Sequence, residues 1–146
     1  MTLALSGEKI AKQVEKQFPG CVAESTADSL LVKAESLLDV ATYLKDTPGL
    51  DFDYLTMLTA VDYLDCFEVV YHLTSLKHNH SLVLKARCYQ RDNPVLPSVV
   101  GLWQTADFQE RETYDLLGIS FTGHPNLRRI ALWEGFDGHP LRKDFL

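Results

Sequence analysis

The stretch Phe67-Glu68-Val69-Val70-Tyr71-His72-Leu73-Thr74 and its sequel Ser81-Leu82-Val83-Leu84-Lys85-Ala86-Arg87-Cys88 decide the fold class. In the first, Phe67, Val69, Tyr71 and Leu73 alternate with Glu68, Val70, His72 and Thr74. In the second, Leu82, Leu84, Ala86 and Cys88 alternate with Ser81, Val83, Lys85 and Arg87. Successive side chains of a strand point to opposite faces, so this period of two predicts antiparallel strands with one buried face. The same period begins near Asp51. Short connections at Leu64-Asp65 and at Lys77 to His80 would join three strands as a meander.

Working toward the N-terminus, the period changes. Ile10, Val14 and Phe18 recur at helical spacing with Ala11 beside them, Ser6 can cap that helix, and Pro19-Gly20 ends it. Cys21 to Ser25 and Leu30 to Ala34 read as short strands around an Asp28-Ser29 turn. A second helix starts at Ser36, with Asp39 near a capping-box position, carries the stripe Leu37, Val40, Ala41 and Leu44, and stops at Pro48-Gly49. Toward the C-terminus, past Asn93-Pro94 and Leu96-Pro97, a helical piece is expected at Val99 to Trp103. Another helix is expected from an Asp107 cap, with Glu110 completing a capping box, to Gly118 as its stop. The order predicts a two-layer α+β fold: helix-strand-strand-helix, a three-stranded antiparallel meander, then short helices and an extended C-terminal strap. Residues 1–118 read as a single domain and 119–146 as the strap.

Charge narrows the function classes. The net charge is −6, and residues 1–65, with five Lys/Arg against eleven Asp/Glu, hold all of it. An acidic chain without a basic patch has little attraction for phosphate backbones, so nucleic acid is not an expected partner. Cys21, Cys66 and Cys88 are odd in number and lie far apart, which argues against a disulfide framework and against cluster or zinc ligation. Nowhere do 18 consecutive apolar residues occur, and Met1 to Ile10 does not read as a signal peptide. Membrane association is therefore expected only through partners. The phosphate-loop, dinucleotide, GxSxG and HExxH signatures are missing. His78 and His80 read as an exposed hairpin tip, and His72 as structural.

The informative stretch runs from Trp103 to Phe145. It contains an echo: Phe121-Thr122-Gly123-His124-Pro125 and, fifteen residues on, Phe136-Asp137-Gly138-His139-Pro140. The first continues to Leu127-Arg128-Arg129 and the second to Leu141-Arg142-Lys143. Each copy is a glycine free to take positive φ, a histidine restricted by the following proline, and a cationic pair. Glu110, Glu112 and Asp115 lie just upstream. Two readings stay open: the cations pin the strap to those carboxylates, or its arginine forks and aromatics (Phe121, Trp133, Phe136, Phe145) lie on another subunit.

The run Glu110-Arg111-Glu112-Thr113-Tyr114-Asp115-Leu116-Leu117-Gly118-Ile119-Ser120-Phe121-Thr122-Gly123-His124-Pro125 resembles the signature of the C-type (30 kDa-type) subunit of proton-pumping NADH:quinone oxidoreductases, the respiratory complex I family. Asn126-Leu127-Arg128-Arg129-Ile130 and Gly138-His139-Pro140-Leu141-Arg142-Lys143-Asp144-Phe145 match the rest in order and spacing. The match is close over about a third of the chain. It implies a scaffold subunit of the hydrophilic arm, peripheral on the cytoplasmic side of the inner membrane, in contact with the large subunit (D type) that helps form the quinone cavity. It implies no catalytic residue and no cofactor in this chain, with NADH, flavin, iron–sulfur clusters and quinone held by neighbours. The residues it marks as interface and motif are Glu110, Arg111, Glu112, Asp115, Gly118, Phe121, Gly123, His124, Pro125, Leu127, Arg128 and Arg129, then Gly138 to Asp144. Related modules serve energy-converting hydrogenases and quinone oxidoreductases with other donors, which is the alternative reading. A free-standing acid–base enzyme using His124 or His139 with Glu112 or Asp115 is the competing class, and it requires a walled pocket.

Overall fold

Alternation along the central strands has the predicted consequence. In the computed structural model, which describes residues 2–129 and 138–143, the inward set Phe67, Val69, Tyr71 and Leu73 is fully buried, and so are Leu84 and Ala86. The fold is α+β with a mostly antiparallel sheet. Strands β1 (Leu3–Ala4), β2 (Val22–Ser25), β3 (Leu30–Val32), β4 (Tyr54–Asp62), β5 (Phe67–Ser75) and β6 (His80–Cys88) form it, in the order β2-β3-β6-β5-β4 with β1 also on β6. The β4-β5-β6 meander is antiparallel, with Tyr71 opposite Leu58 on one side and Leu84 on the other. A bulge interrupts β4 between Leu55 and Met57.

Helices α1 (Gly7–Gln17) and α2 (Leu37–Asp46) contribute Ile10, Ala11 and Val14, and Leu37, Val40, Ala41 and Leu44, to the core. Each is amphipathic at helical spacing, so one stripe leaves water against the sheet. Ser6 and Ser36 occupy the N-cap positions without a side-chain cap bond.

Several expectations need correction. The β3–β6 and β1–β6 pairings are parallel, which no local pattern announced. His80 is buried, its Nε2 2.8 Å from the Leu50 carbonyl, rather than at an exposed tip. Val99 to Trp103 is not helical but a turn, closed by the Leu102 and Trp103 amides on the Val99 carbonyl. The following helix α3 (Ala106–Leu117) has Thr105, not Asp107, at its N-cap, and Glu110 does not reach back to complete a capping box. Past it the chain is not simply extended: β8 (Ser120–Thr122) pairs in parallel with β7 (Val95–Pro97), and Ile119 and Phe121 enter the core. The strap residues Ile130, Ala131, Trp133, Phe136, Asp144 and Phe145 lie outside the described residues.

Candidate functional site

Helix α3 buries Ala106, Glu110, Thr113, Asp115 and Leu117. Two of those five are carboxylates, and a buried carboxylate is tolerated only with hydrogen-bond or charge partners. Their partners fix the surrounding chain. Glu110, fully buried, accepts the Ser98 hydroxyl at 2.6 Å and the Val99 amide at 2.9 Å, which explains the Val99 turn. Burial pushes its carboxyl above the usual range, and those two donors pull it partly back. Asp115, also fully buried, takes the Arg129 guanidinium at 2.6 Å. Internal pinning, one of the two open readings, is thus realised for Arg129.

The two histidines of the echo sit at opposite ends of this helix, which is about 18 Å long at 1.5 Å per residue. The His124 ring accepts the Asn126 amide on Nδ1 at 2.9 Å, leaving Nε2–H to face Asp107, 3.1 Å from its carboxylate and 3.2 Å from its carbonyl. His139 Nδ1 lies 2.9 Å from the Asp115 carbonyl at the other end. Around it, the last carbonyls of α3 are taken in turn. The Gly118 amide bonds Tyr114 (2.8 Å), the Leu141 amide bonds Leu116 (3.0 Å), and Arg142 Nε bonds Leu117 (2.6 Å). A helix end leaves four carbonyls without partners, and here the second copy of the echo caps most of them, favoured by cations at the negative end of the helix dipole.

Gly118 is required twice over. Its φ of +79° is left-handed, and a Cβ there would lie 2.7 Å from the His139 ring and 2.8 Å from the Arg142 guanidinium. Arg142 also lies over the Phe67 ring at 5.0 Å, with Arg91 at 4.7 Å. Arg91 forks onto the buried Asp62 at 2.7 and 2.9 Å, and Asp62 accepts the Lys143 amide at 2.8 Å, tying the strap to β4. The Arg91 contact, foremost, holds the Asp62 carboxyl well below the usual range.

Of the marked residues, Glu110, Asp115, Gly118, Phe121, His124, Arg129, His139 and Arg142 are thus drawn into contacts that hold α3 and the strap. Gly123, at φ +85°, turns the chain before His124. Glu112, Pro125, Arg128, Leu141 and Lys143 are exposed, with Arg128 Nε on the Asn126 side chain at 2.7 Å. Arg111 reaches the Arg128 carbonyl at 3.3 Å, Leu127 packs against the core, and Gly138 and Pro140 are half-buried. Neither histidine meets Glu112, and His139 bonds the carbonyl of Asp115. Asp62 and Arg91, and the role of Ser98, escaped the sequence reading; the only signal was Asp62 itself, a carboxylate on the same strand face as the inward Leu58 and Ala60. Among the described residues, no cluster of three or more His, Cys, Asp or Glu is placed to hold a metal.

The family model described as "Respiratory-chain NADH dehydrogenase, 30 Kd subunit" matches residues 30–146. The NADH-quinone oxidoreductase C subunit of Roseiflexus sp. (strain RS-1) is 43% identical over 97% of this chain and 85% of its own length. The C 2 subunit of the same enzyme from Rhizobium meliloti (strain 1021) is 45% identical over 78% of this chain and 63% of its own. Among solved structures, a chain of the membrane-bound sulfane sulfur reductase, an archaeal respiratory membrane complex, superposes with a TM-score of 0.71 at 26% identity, covering 95% of this chain and 85% of that one.

Proposed function

Because the chain belongs to the family of the 30 kDa subunit of respiratory-chain NADH dehydrogenase, we propose that it is a non-catalytic scaffold subunit in the peripheral arm of NADH:quinone oxidoreductase, supporting electron transfer from NADH to quinone coupled to proton translocation. The observation that carries the scaffold reading is the use made of its reactive side chains. His124, His139 and Asp115 are engaged in holding the strap along α3, and Glu110 in holding the Ser98-Val99 turn, rather than lining a common pocket. Groups whose hydrogen bonds are used in this way are positioned by the fold, which supports a structural use of them.

On this reading NADH, flavin, iron–sulfur clusters and quinone are held by neighbouring subunits, and the large quinone-cavity subunit is the main partner. The chain is then peripheral on the cytoplasmic face; no helix among the described residues is long and apolar enough to cross a membrane. The test is purification of the complex from native membranes. The chain is expected to co-migrate with NADH-dependent quinone reduction, and when isolated to show neither flavin nor iron–sulfur absorption. Activity that separates cleanly from the chain would sink the proposal.

The likeness to a chain of another respiratory membrane complex supports a second reading, an equivalent subunit of a related energy-converting hydrogenase or of a quinone oxidoreductase with a donor other than NADH. Donor specificity of the purified complex separates the two.

A further inference from the structure

A groove of about 220 Å³ runs between β4 and α3. Its apolar lining is Leu58 and Ala60 of β4, Leu116 and Leu117 of α3 and Leu141 of the strap, with uncharged polar side chains from the same two elements between them. Leu141 is 61% exposed although its backbone is held, its amide on Leu116 and the adjacent Arg142 on Leu117. The backbone of Leu141 caps α3, while its side chain buries little in its own chain. β4 is also the outer strand of the sheet, and Tyr54, Met57, Val61, Tyr63 and Leu64 on it and the following turn remain exposed. α3 covers part of that edge, with Gln109 on the Leu58 amide and the Thr105 hydroxyl on the Leu55 carbonyl, and leaves the groove beside them open.

Charge says what covers it. Glu112 is the one charged side chain lining the groove, it is exposed, and it has no hydrogen bond or ion pair with any described residue. An anionic lipid headgroup would meet this carboxylate with no cation in the lining to offset it. A second copy apposed groove to groove would bring Glu112 against its own equivalent. A cation amid aliphatic side chains satisfies both features of the groove.

We propose that the groove receives a segment of the neighbouring oxidoreductase subunit in which a Lys or Arg is flanked by aliphatic residues. The cation meets Glu112, and the aliphatics pack on Leu58, Ala60, Leu116 and Leu141. This rests on the scaffold reading above. The experiment is competition during assembly of the whole complex, with wild-type and tagged variant chains co-expressed. Leu141→Asp and Glu112→Lys are each expected to fall at least tenfold in incorporation while melting, as isolated chains, at the wild-type temperature. Lys12→Glu, on the exposed face of α1, is expected to incorporate normally. A photo-crosslinking amino acid at position 141 in the intact complex should capture a peptide of another subunit with that composition. Normal incorporation of both variants, a lowered melting temperature in either, or capture of an acidic peptide, a lipid or a second copy would overturn the groove assignment. Wild-type chain absent from the complex would instead overturn the scaffold reading.

Discussion

Glu110 shows how one buried carboxylate sets local structure and pH response together. Its carboxyl is raised by burial, so the folded chain holds that proton more tightly than the unfolded chain does. That preference is fully present below the unfolded value of about 4.3 and is lost as pH rises through the folded value. Glu110→Gln keeps an acceptor for Val99 and carries no charge, so its stability relative to wild type should improve as pH rises above about 4.3. Urea midpoints of the two chains from pH 4 to 8 measure this, and parallel curves over that whole range would refute it. Glu110→Ala leaves the Val99 amide without its acceptor and should cost about 1–3 kcal/mol. Tyr71 poses the opposite case. Its hydroxyl is buried with no hydrogen-bond partner among the described residues. Tyr71→Phe keeps the ring and removes a group that is costly to desolvate, so thermal melting should be unchanged or higher, by at most about 1 kcal/mol.

At the level of elements, α3 and the strap are one unit. The helix has too few inward apolar residues to dock by hydrophobic burial alone, so side-chain partners from elsewhere in the chain complete it. Arg142 caps the Leu117 carbonyl of α3 and covers Phe67, whereas the Arg128 side chain is exposed and bonds Asn126 two residues away, its carbonyl accepting Arg111 in a bond that truncating the side chain leaves in place. Arg142→Ala should therefore lower stability by about 1.5–3 kcal/mol, the range for a hydrogen bond from a charged donor. Arg128→Ala should stay within about 0.5 kcal/mol, as surface changes do. Chemical denaturation of the isolated chain compares them, and equal losses would show that the cap is not what Arg142 provides.

Across the whole molecule, the strand after α3 belongs to the core. Ile119 and Phe121 belong to the same core as Leu96, Val99 and Trp103, Phe121 lies opposite Leu96, and the Ser98 and Ser120 amides bond across to Thr122 and Pro94. Hydrogen exchange on the isolated chain should find the amides of Ser98 and Ser120 protected together with those of β5 and β6. Exchange of these two at the rate of an unstructured peptide would show that the segment orders only on assembly. Core amides open only with global unfolding, whereas a docked peripheral segment opens first.

The sequence by itself determined the α+β class, the meander and both amphipathic helices, because periods of two and 3.6 are local properties that burial converts directly into structure. It also determined the glycine stop of α3 and the echo that brings two histidines to the chain's last third. Only the tertiary structure decided the parallel β3–β6 and β1–β6 pairings, since a strand's alternation is the same whichever way its neighbour runs. Only it decided that Glu110 turns toward Ser98 instead of capping its own helix, and that Arg129 meets Asp115 while Arg142 caps Leu117. A charged side chain carries no local signal of its partner; the partner is chosen by which groups burial brings within about 3 Å and denies to water.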